Sequence, residues 1–234
     1  MTKNTDCYAR SLNDCDGGIS KEHYISKSVL EIGQDDLSSI ELGGALAAPP
    51  SKTKNLANAY VLCDKHNEEL SGLDVETFNF LNSLFNAVHD RKWIDINIQE
   101  TVMARWLLKF VAGWASHFSR EELLPQEFYS KDQMELLFAR RAPVGPELTL
   151  AVGSVNSCKF AQHIYRIQGG APAWVLSPVT GNGGLWGVSI AANPIVFTVS
   201  LLSKVAPTFG HGCVDQDGIC LEGPDGQKLR VGLV

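Results

Sequence analysis

Ser20-Lys21-Glu22-His23-Tyr24-Ile25-Ser26 and Asn58-Ala59-Tyr60-Val61-Leu62-Cys63-Asp64-Lys65-His66-Asn67 are the stretches on which the reading of this chain turns. The first sets an acidic residue directly before a histidine. The second ends in Cys-x-x-His with an asparagine immediately after it. Upstream, Cys7 and Cys15 add two thiols. Cys7, Cys15, Cys63 and His66 together supply three thiolates and one imidazole, a normal tetrahedral set for structural zinc. The Cys63-x-x-His66 spacing lets a tight turn aim both side chains at one ion. The separation of Cys7 from Cys15 is wider than the usual spacing of such pairs. Four protein ligands leave no open coordination position, so zinc here would hold structure together, not perform chemistry. The competing reading is of unrelated reduced cysteines.

Working outward, Asp16-Gly17-Gly18 is a turn signal, and Ile19 to Ile25 is expected to form the hairpin arm that presents His23. Residues 28–54 lack periodicity and are broken by Gly43-Gly44 and Pro49-Pro50, which predicts an irregular loop. Asn55 to Leu62 leads into the knuckle as a second strand. Asp74 is expected to cap a helix from Val75 to His89, with Phe78, Leu81, Phe85 and Val88 at helical spacing. A second helix is expected from about Asn97, carrying Ile98, Val102, Trp106, Lys109 and Phe110. Capping-box patterns at Ser119–Glu122 and Ser130–Gln133 each precede apolar residues. After Ala142-Pro143-Val144-Gly145-Pro146 the chain reads as short strands: Leu148–Val152, His163–Ile167, Trp174–Leu176, Trp186–Ile190, Ile195–Leu202 and Leu229–Val234. Pro224-Asp225-Gly226 marks a hairpin turn.

The expected fold class is therefore α+β: an N-terminal zinc-stapled ββα module over 1–92, a helical bracing segment over 93–142, and a β-rich C-terminal part over 143–234. At 234 residues, 44% hydrophobic and 20% charged, the chain belongs with ordinary globular proteins. A formal net charge of -6 counts against a large, salt-sensitive footprint on DNA. Lys21, Lys27, Lys52, Lys54 and Lys65 leave a local basic surface open. No secretory signal or membrane-spanning run is read from the sequence, and six cysteines are too few for a disulfide scaffold. A reducing cytoplasm is the expected compartment.

Hydrolysis of a phosphodiester needs an activated water and a cation to stabilise charge developing on the phosphate and leaving oxygen. His23 has the chemistry of a base near neutral pH. Glu22 and Asn67 are oxygen donors suited to a hard ion such as Mg²⁺. Asn58 would hold the intervening loop through side-chain hydrogen bonds.

Ser20–Ser26 followed by Leu62–Asn67 resembles the HNH, or ββα-metal, endonucleases with a treble-clef zinc knuckle. The likeness covers roughly residues 7–89. In that family an acidic residue precedes the base histidine, an asparagine lies before the second knuckle, and a His or Asn after it binds the catalytic cation. The resemblance implies metal-dependent cleavage of DNA, with Mg²⁺ or Mn²⁺ at Glu22 and Asn67, His23 and Asn58 as catalytic residues, and structural zinc at Cys7, Cys15, Cys63 and His66. Arg105–Lys109 is similar to a segment that follows the motif in uncharacterised bacterial HNH-like proteins, and the type of family implies a bacterial or phage defence or toxin effector. DNA is the expected partner, with a homo-oligomer or a regulatory protein also open. The rival reading is a catalytically inactive, zinc-stabilised module that binds nucleic acid or protein. Elsewhere, Cys213 with Cys220 reads as inert hairpin thiols in preference to a redox pair. The five tryptophans read as core.

Overall fold

The computed structural model describes residues 6–32, 58–89, 95–117, 124, 126–143, 150–154, 174–181, 184–192, 195–200, 218–222 and 228–233. These residues form a mixed helix-and-strand architecture. The first sheet is a two-stranded antiparallel ladder of β1 (Ile19–His23) and β2 (Asn58–Cys63). Ile19 pairs with Cys63, Ser20 with Leu62, Glu22 with Ala59, and His23 with Asn58. The register shifts between Ser20 and Glu22, so Lys21 alone opposes Tyr60 and Val61. This is a bulge, and it explains why β2 breaks the inside–outside alternation of an ordinary half-buried strand. Tyr60, 67% exposed, is turned outward there. The Tyr8 amide donates to the Val61 carbonyl at 2.9 Å, tying the segment before β1 to the same ladder.

Helix α2 (Asp64–His89) follows β2 with no intervening residue. Its first residue fixes the junction: the Asp64 amide donates to the Gly18 carbonyl at 2.9 Å, and an Asp64 carboxylate oxygen accepts the Gly18 amide at 2.7 Å. Gly17 makes that approach possible. It has φ +75°, and a β-carbon there would fall 2.5 Å from the Asp64 carboxylate. The sequence-based expectation placed the helix start at Val75, capped by Asp74; the helix instead begins at Asp64. Leu70 and Leu73 carry the apolar face upstream of Asp74 and are buried, so the periodic segment is longer than Phe78–Val88 alone suggests. Asp74 lies in the helix interior and is committed to other partners, described below.

A short helix, α1 (Lys27–Glu31), starts at Ser26, whose side chain accepts the Val29 amide. It lies at the start of the segment expected to be an irregular loop; residues 33–57 lie outside the described residues. Strand β3 (Asp95–Ile98) occupies the place where the second helix was expected to begin. Ile96 and Ile98 are buried between exposed Asp95 and Asn97, the two-residue period of a strand. The helix starts two residues later as α3 (Glu100–His117). Thirteen of its residues are buried, among them Trp106, Leu107, Phe110 and Trp114. It runs through the core, and Gly113 lets it touch the end of β1: a β-carbon at Gly113 would sit 2.3 Å from the β-carbon of Tyr24. Helix α4 (Lys131–Leu137) begins where expected, with the Ser130 hydroxyl accepting the Gln133 amide.

The remaining strands are β4 (Leu150–Ser154), β5 (Trp174–Gly181), β6 (Gly184–Ala192), β7 (Ile195–Ser200), β8 (Gly218–Glu222) and β9 (Lys228–Leu233). Four form an antiparallel sheet in the order β4-β7-β6-β5, and a second sheet runs β3-β9-β8. Strands β8 and β9 pair antiparallel, with Glu222 opposite Lys228; the turn expected at Pro224-Asp225-Gly226 lies outside the described residues. The β3–β9 pairing is parallel and joins residue 95 to residue 230, so the last strand is hydrogen-bonded to the link between α2 and α3. Phe197 packs edge-on to Phe80 at 5.5 Å, and the Leu150 amide donates to Glu100 at 2.9 Å. One hydrophobic cluster therefore runs from Cys7 to Val199, across the boundaries expected at 92 and 142. The expected strand His163–Ile167, the capping box at 119–122, and Cys213 lie outside the described residues. Among the described residues no helix is long and apolar enough to cross a membrane.

Candidate metal centre

Cys7, Cys15, Cys63 and His66 converge at the end of the β1–β2 ladder remote from His23. Each is delivered by a different piece of backbone. Cys7 precedes the 3₁₀ turn Arg10–Leu12, Cys15 follows it, Cys63 ends β2, and His66 occupies the first turn of α2. His66 Nδ1 lies 3.3 Å from Cys7 Sγ, 3.2 Å from Cys63 Sγ and 3.8 Å from Cys15 Sγ. All four candidate ligand atoms lie within 4.8 Å of one another. Zinc bond lengths and tetrahedral angles give edges of about 3.6 Å between nitrogen and sulfur and about 3.8 Å between sulfurs. The cluster thus has the donors and the size to hold a metal ion such as zinc. Burial pushes the Cys7 and Cys15 thiols up, opposed at Cys7 by a hydrogen bond from the Cys63 backbone and at Cys15 by one from the Cys7 side chain. A bound cation reverses that preference by deprotonating the coordinating thiols.

The other imidazole nitrogen is engaged as well. His66 Nε2 lies 3.0 Å from Asp14 Oδ1. The other Asp14 oxygen accepts Lys65 Nζ and, at 2.7 Å, Arg140 Nη1. Arg140 Nη2 donates to Glu69 at 2.6 Å. The Phe138 ring stands 5.1 Å from the His66 ring, with the Arg140 guanidinium 5.7 Å over the same phenyl. Partial burial pushes Asp14 up, but bonds from Lys65, Arg140 and His66 outweigh it and hold its carboxyl well below the usual range. Burial lowers His66, with Asp14 opposing.

The residues expected to be catalytic are placed differently. His23 and Asn58 are register partners at the far end of the ladder. Strand alternation puts Ser20 and Glu22 on one face of β1 and Lys21 and His23 on the other. Asn67 belongs to the first of these faces, where its Nδ2 donates to the Ser20 hydroxyl at 3.1 Å. Ser20 and His23 are three residues apart, about 10 Å along a strand, and no contact among the described residues joins His23 to Asn67. His23 is half-buried. Burial lowers its pKa below the ordinary imidazole range, and the Lys21 and Lys109 charges lower it further.

Glu22 is 1% exposed and has a cation already: Lys109 Nζ from α3 lies 2.8 Å from its Oε1. Lys109 also donates to Asp74 at 2.6 Å, and the Trp106 indole donates to the other Asp74 oxygen at 3.2 Å. The Glu22–Lys109 contact is electrostatic, since neither Glu22 oxygen receives a well-aligned hydrogen bond among the described residues. Burial raises the Glu22 pKa, and Lys109 opposes the rise. Lys109 thus already supplies a positive charge at Glu22 Oε1, with which a hard divalent ion there would compete, while Oε2 has no hydrogen-bond partner among the described residues.

Sequence reasoning missed Asp14, Asp74, Lys109 and Arg140. Lys109 had a readable signal: a lone cation inside the apolar run Trp106–Ala115 requires a buried anion. Asp14 stands directly before a candidate ligand, which is suggestive only once the fold is known. Comparison of the chain with protein-family models, with curated proteins and with solved structures found no match.

Proposed function

We propose that this chain is an HNH-type endonuclease that hydrolyses DNA phosphodiester bonds, built on a ββα unit stapled by structural zinc. The observation that carries the reading is the β1–β2–α2 unit. His23 faces Asn58 across one end of the ladder, Cys63 and His66 flank the strand–helix junction at the other, and Asn67 follows in the first turn of α2. His23 is accessible, neutral at physiological pH, and next to Lys21. It would take a proton from water as the water oxygen bonds to phosphorus and the bond to the leaving oxygen breaks, that oxygen taking a proton from solvent. Lys21 would draw the phosphate toward the strand. Asn58, 9% exposed, would hold the neighbouring backbone. A defence or toxin role in a bacterial or phage setting, in the cytoplasm, fits such an activity.

A second reading is favoured by the Glu22–Lys109 pair: a metal-stapled module that binds nucleic acid or protein without cutting. Supercoiled plasmid and single-stranded DNA incubated with wild type and His23→Ala, with Mg²⁺, Mn²⁺ or chelator, separate the two. Nicking by wild type that His23→Ala loses supports the nuclease. Equal nicking by both proteins, or none by either, leaves the binding module. The ions are assay variables because Lys109 already stands at Glu22 Oε1, where a divalent ion would have to compete with it.

A further inference from the structure

We propose that Asp14 is a positioning residue for the metal centre, and that through Arg140 it couples metal binding to the seating of the α4 segment. The inference rests on the reading of Cys7, Cys15, Cys63 and His66 as zinc ligands. It concerns residues outside that set. A histidine can present either ring nitrogen to a metal, and the atom it presents depends on what holds the other. Here Nδ1 faces the three thiols at 3.2–3.8 Å, and Nε2 faces Asp14 Oδ1 at 3.0 Å. With Asp14 a carboxylate, Nε2 carries the proton and Nδ1 keeps the lone pair that a cation needs. The carboxylate also makes the imidazole a stronger donor.

Asp14 does not act alone. Its second oxygen is shared by Lys65, one residue before the ligand, and by Arg140, in the stretch that ends α4. Arg140 is a two-way clamp, donating one nitrogen to Asp14 and another to Glu69 on α2 at 2.6 Å. Phe138, two residues earlier, covers the His66 ring. The backbone at Ala139 bends through φ 54°, between the phenyl and the guanidinium. Two contacts from the same short segment therefore land on the ligand histidine and on its carboxylate partner. A metal that fixes His66 fixes Asp14, and Asp14 fixes Arg140. By linkage, seating of Arg140 must then tighten the metal.

The test uses the full chain. Apparent zinc affinity is measured by chelator competition for wild type, Asp14→Asn and Arg140→Gln, with Co²⁺ absorption as a check on the ligand set. Hydrogen exchange over residues 131–141 is followed with and without zinc. Asp14→Asn should weaken zinc about 10–100-fold, the range found for lost outer partners of metal-bound histidine. Arg140→Gln should weaken it by less. Both should keep the Co²⁺ spectrum of three thiolates and one nitrogen. Zinc should slow exchange over 131–141 in wild type, and less so in Arg140→Gln. Unchanged zinc affinity in Asp14→Asn, beside a wild type that binds zinc stoichiometrically, overturns the positioning role and leaves the metal centre standing. Exchange over 131–141 that ignores zinc overturns the coupling. A wild type that binds no zinc removes the centre and this inference together.

Discussion

At the scale of single residues, His23 has the most specific consequence. Burial and the Lys21 and Lys109 charges favour its neutral form, so it stays unprotonated at lower pH than a free imidazole. A base with a depressed pKa remains competent as pH falls until that pKa is crossed. The acid limb of any His23-dependent nicking should therefore lie below about 6.5, the ordinary imidazole value. A pH–rate profile whose acid limb falls at or above that value would contradict this placement. Gly113 makes a separate prediction. Its missing side chain admits Tyr24, so Gly113→Ala must push α3 off the end of β1. Overpacking of this kind costs about 1–3 kcal/mol, which thermal or denaturant unfolding of the variant would measure. An unchanged midpoint would mean the contact is looser than described. The four Cys/His positions were legible from residue type and the Cys-x-x-His spacing, because metal binding demands particular donors at short separations. Asp14 and Arg140 were not legible. Ion pairs between residues 14 and 140 obey no spacing rule, and only the fold brings them together.

Among elements, the contact between β1 and α3 is unusual in being ionic at its centre. Glu22, Lys109 and Asp74 form a triad in which Glu22 and Lys109 are each 1% exposed. Removing one member of a buried pair leaves the other charged and unsolvated, a loss of about 3–5 kcal/mol, whereas replacing both by apolar groups is often neutral or better. Lys109→Met alone should thus be strongly destabilising. Adding Glu22→Leu and Asp74→Leu should recover much of the loss, as read from denaturant midpoints. If the single and triple variants are equally unstable, the triad is not what holds α3 against β1. The same elements show what periodicity can and cannot reveal. The strands around the knuckle and the cap at Ser130 were readable because both are local. The true start of α2 was misplaced because Ser71 and Gly72 interrupt its pattern and Asp74 looks like a cap. Leu70 and Leu73 override those weak preferences by packing in the core.

For the whole molecule, the β3–β9 pairing decides how the chain unfolds. Strand β9 lies between β3 and β8, and Val231 is opposite Ile96 on one side and Ile219 on the other. Proline at Val231 removes a backbone donor from a central strand and should be strongly destabilising. Because one hydrophobic cluster joins Cys7 to Val199, calorimetry of Val231→Pro should show a single transition at lower temperature. Two separated transitions, the later one unchanged from wild type, would mean the N-terminal unit folds by itself. Stripping the metal should likewise lower the midpoint of the whole transition, since an ion bound only by the folded state stabilises that state. A midpoint indifferent to chelator would argue that no structural ion is bound. The parallel pairing was invisible in the sequence: strand propensity marks residues 229–234, but nothing in their composition names residues 95–98 as the partner.

The Arg140 clamp also imposes an order of events during synthesis. Cys7, Cys15, Cys63 and His66 have all been made by residue 66, while their outer arginine is 74 positions further on (140 − 66). At translation speeds of about 5–20 residues per second, that gap is roughly 4–15 s. A nascent chain could thus capture an ion first and secure its grip only when the later helix emerges from the ribosome.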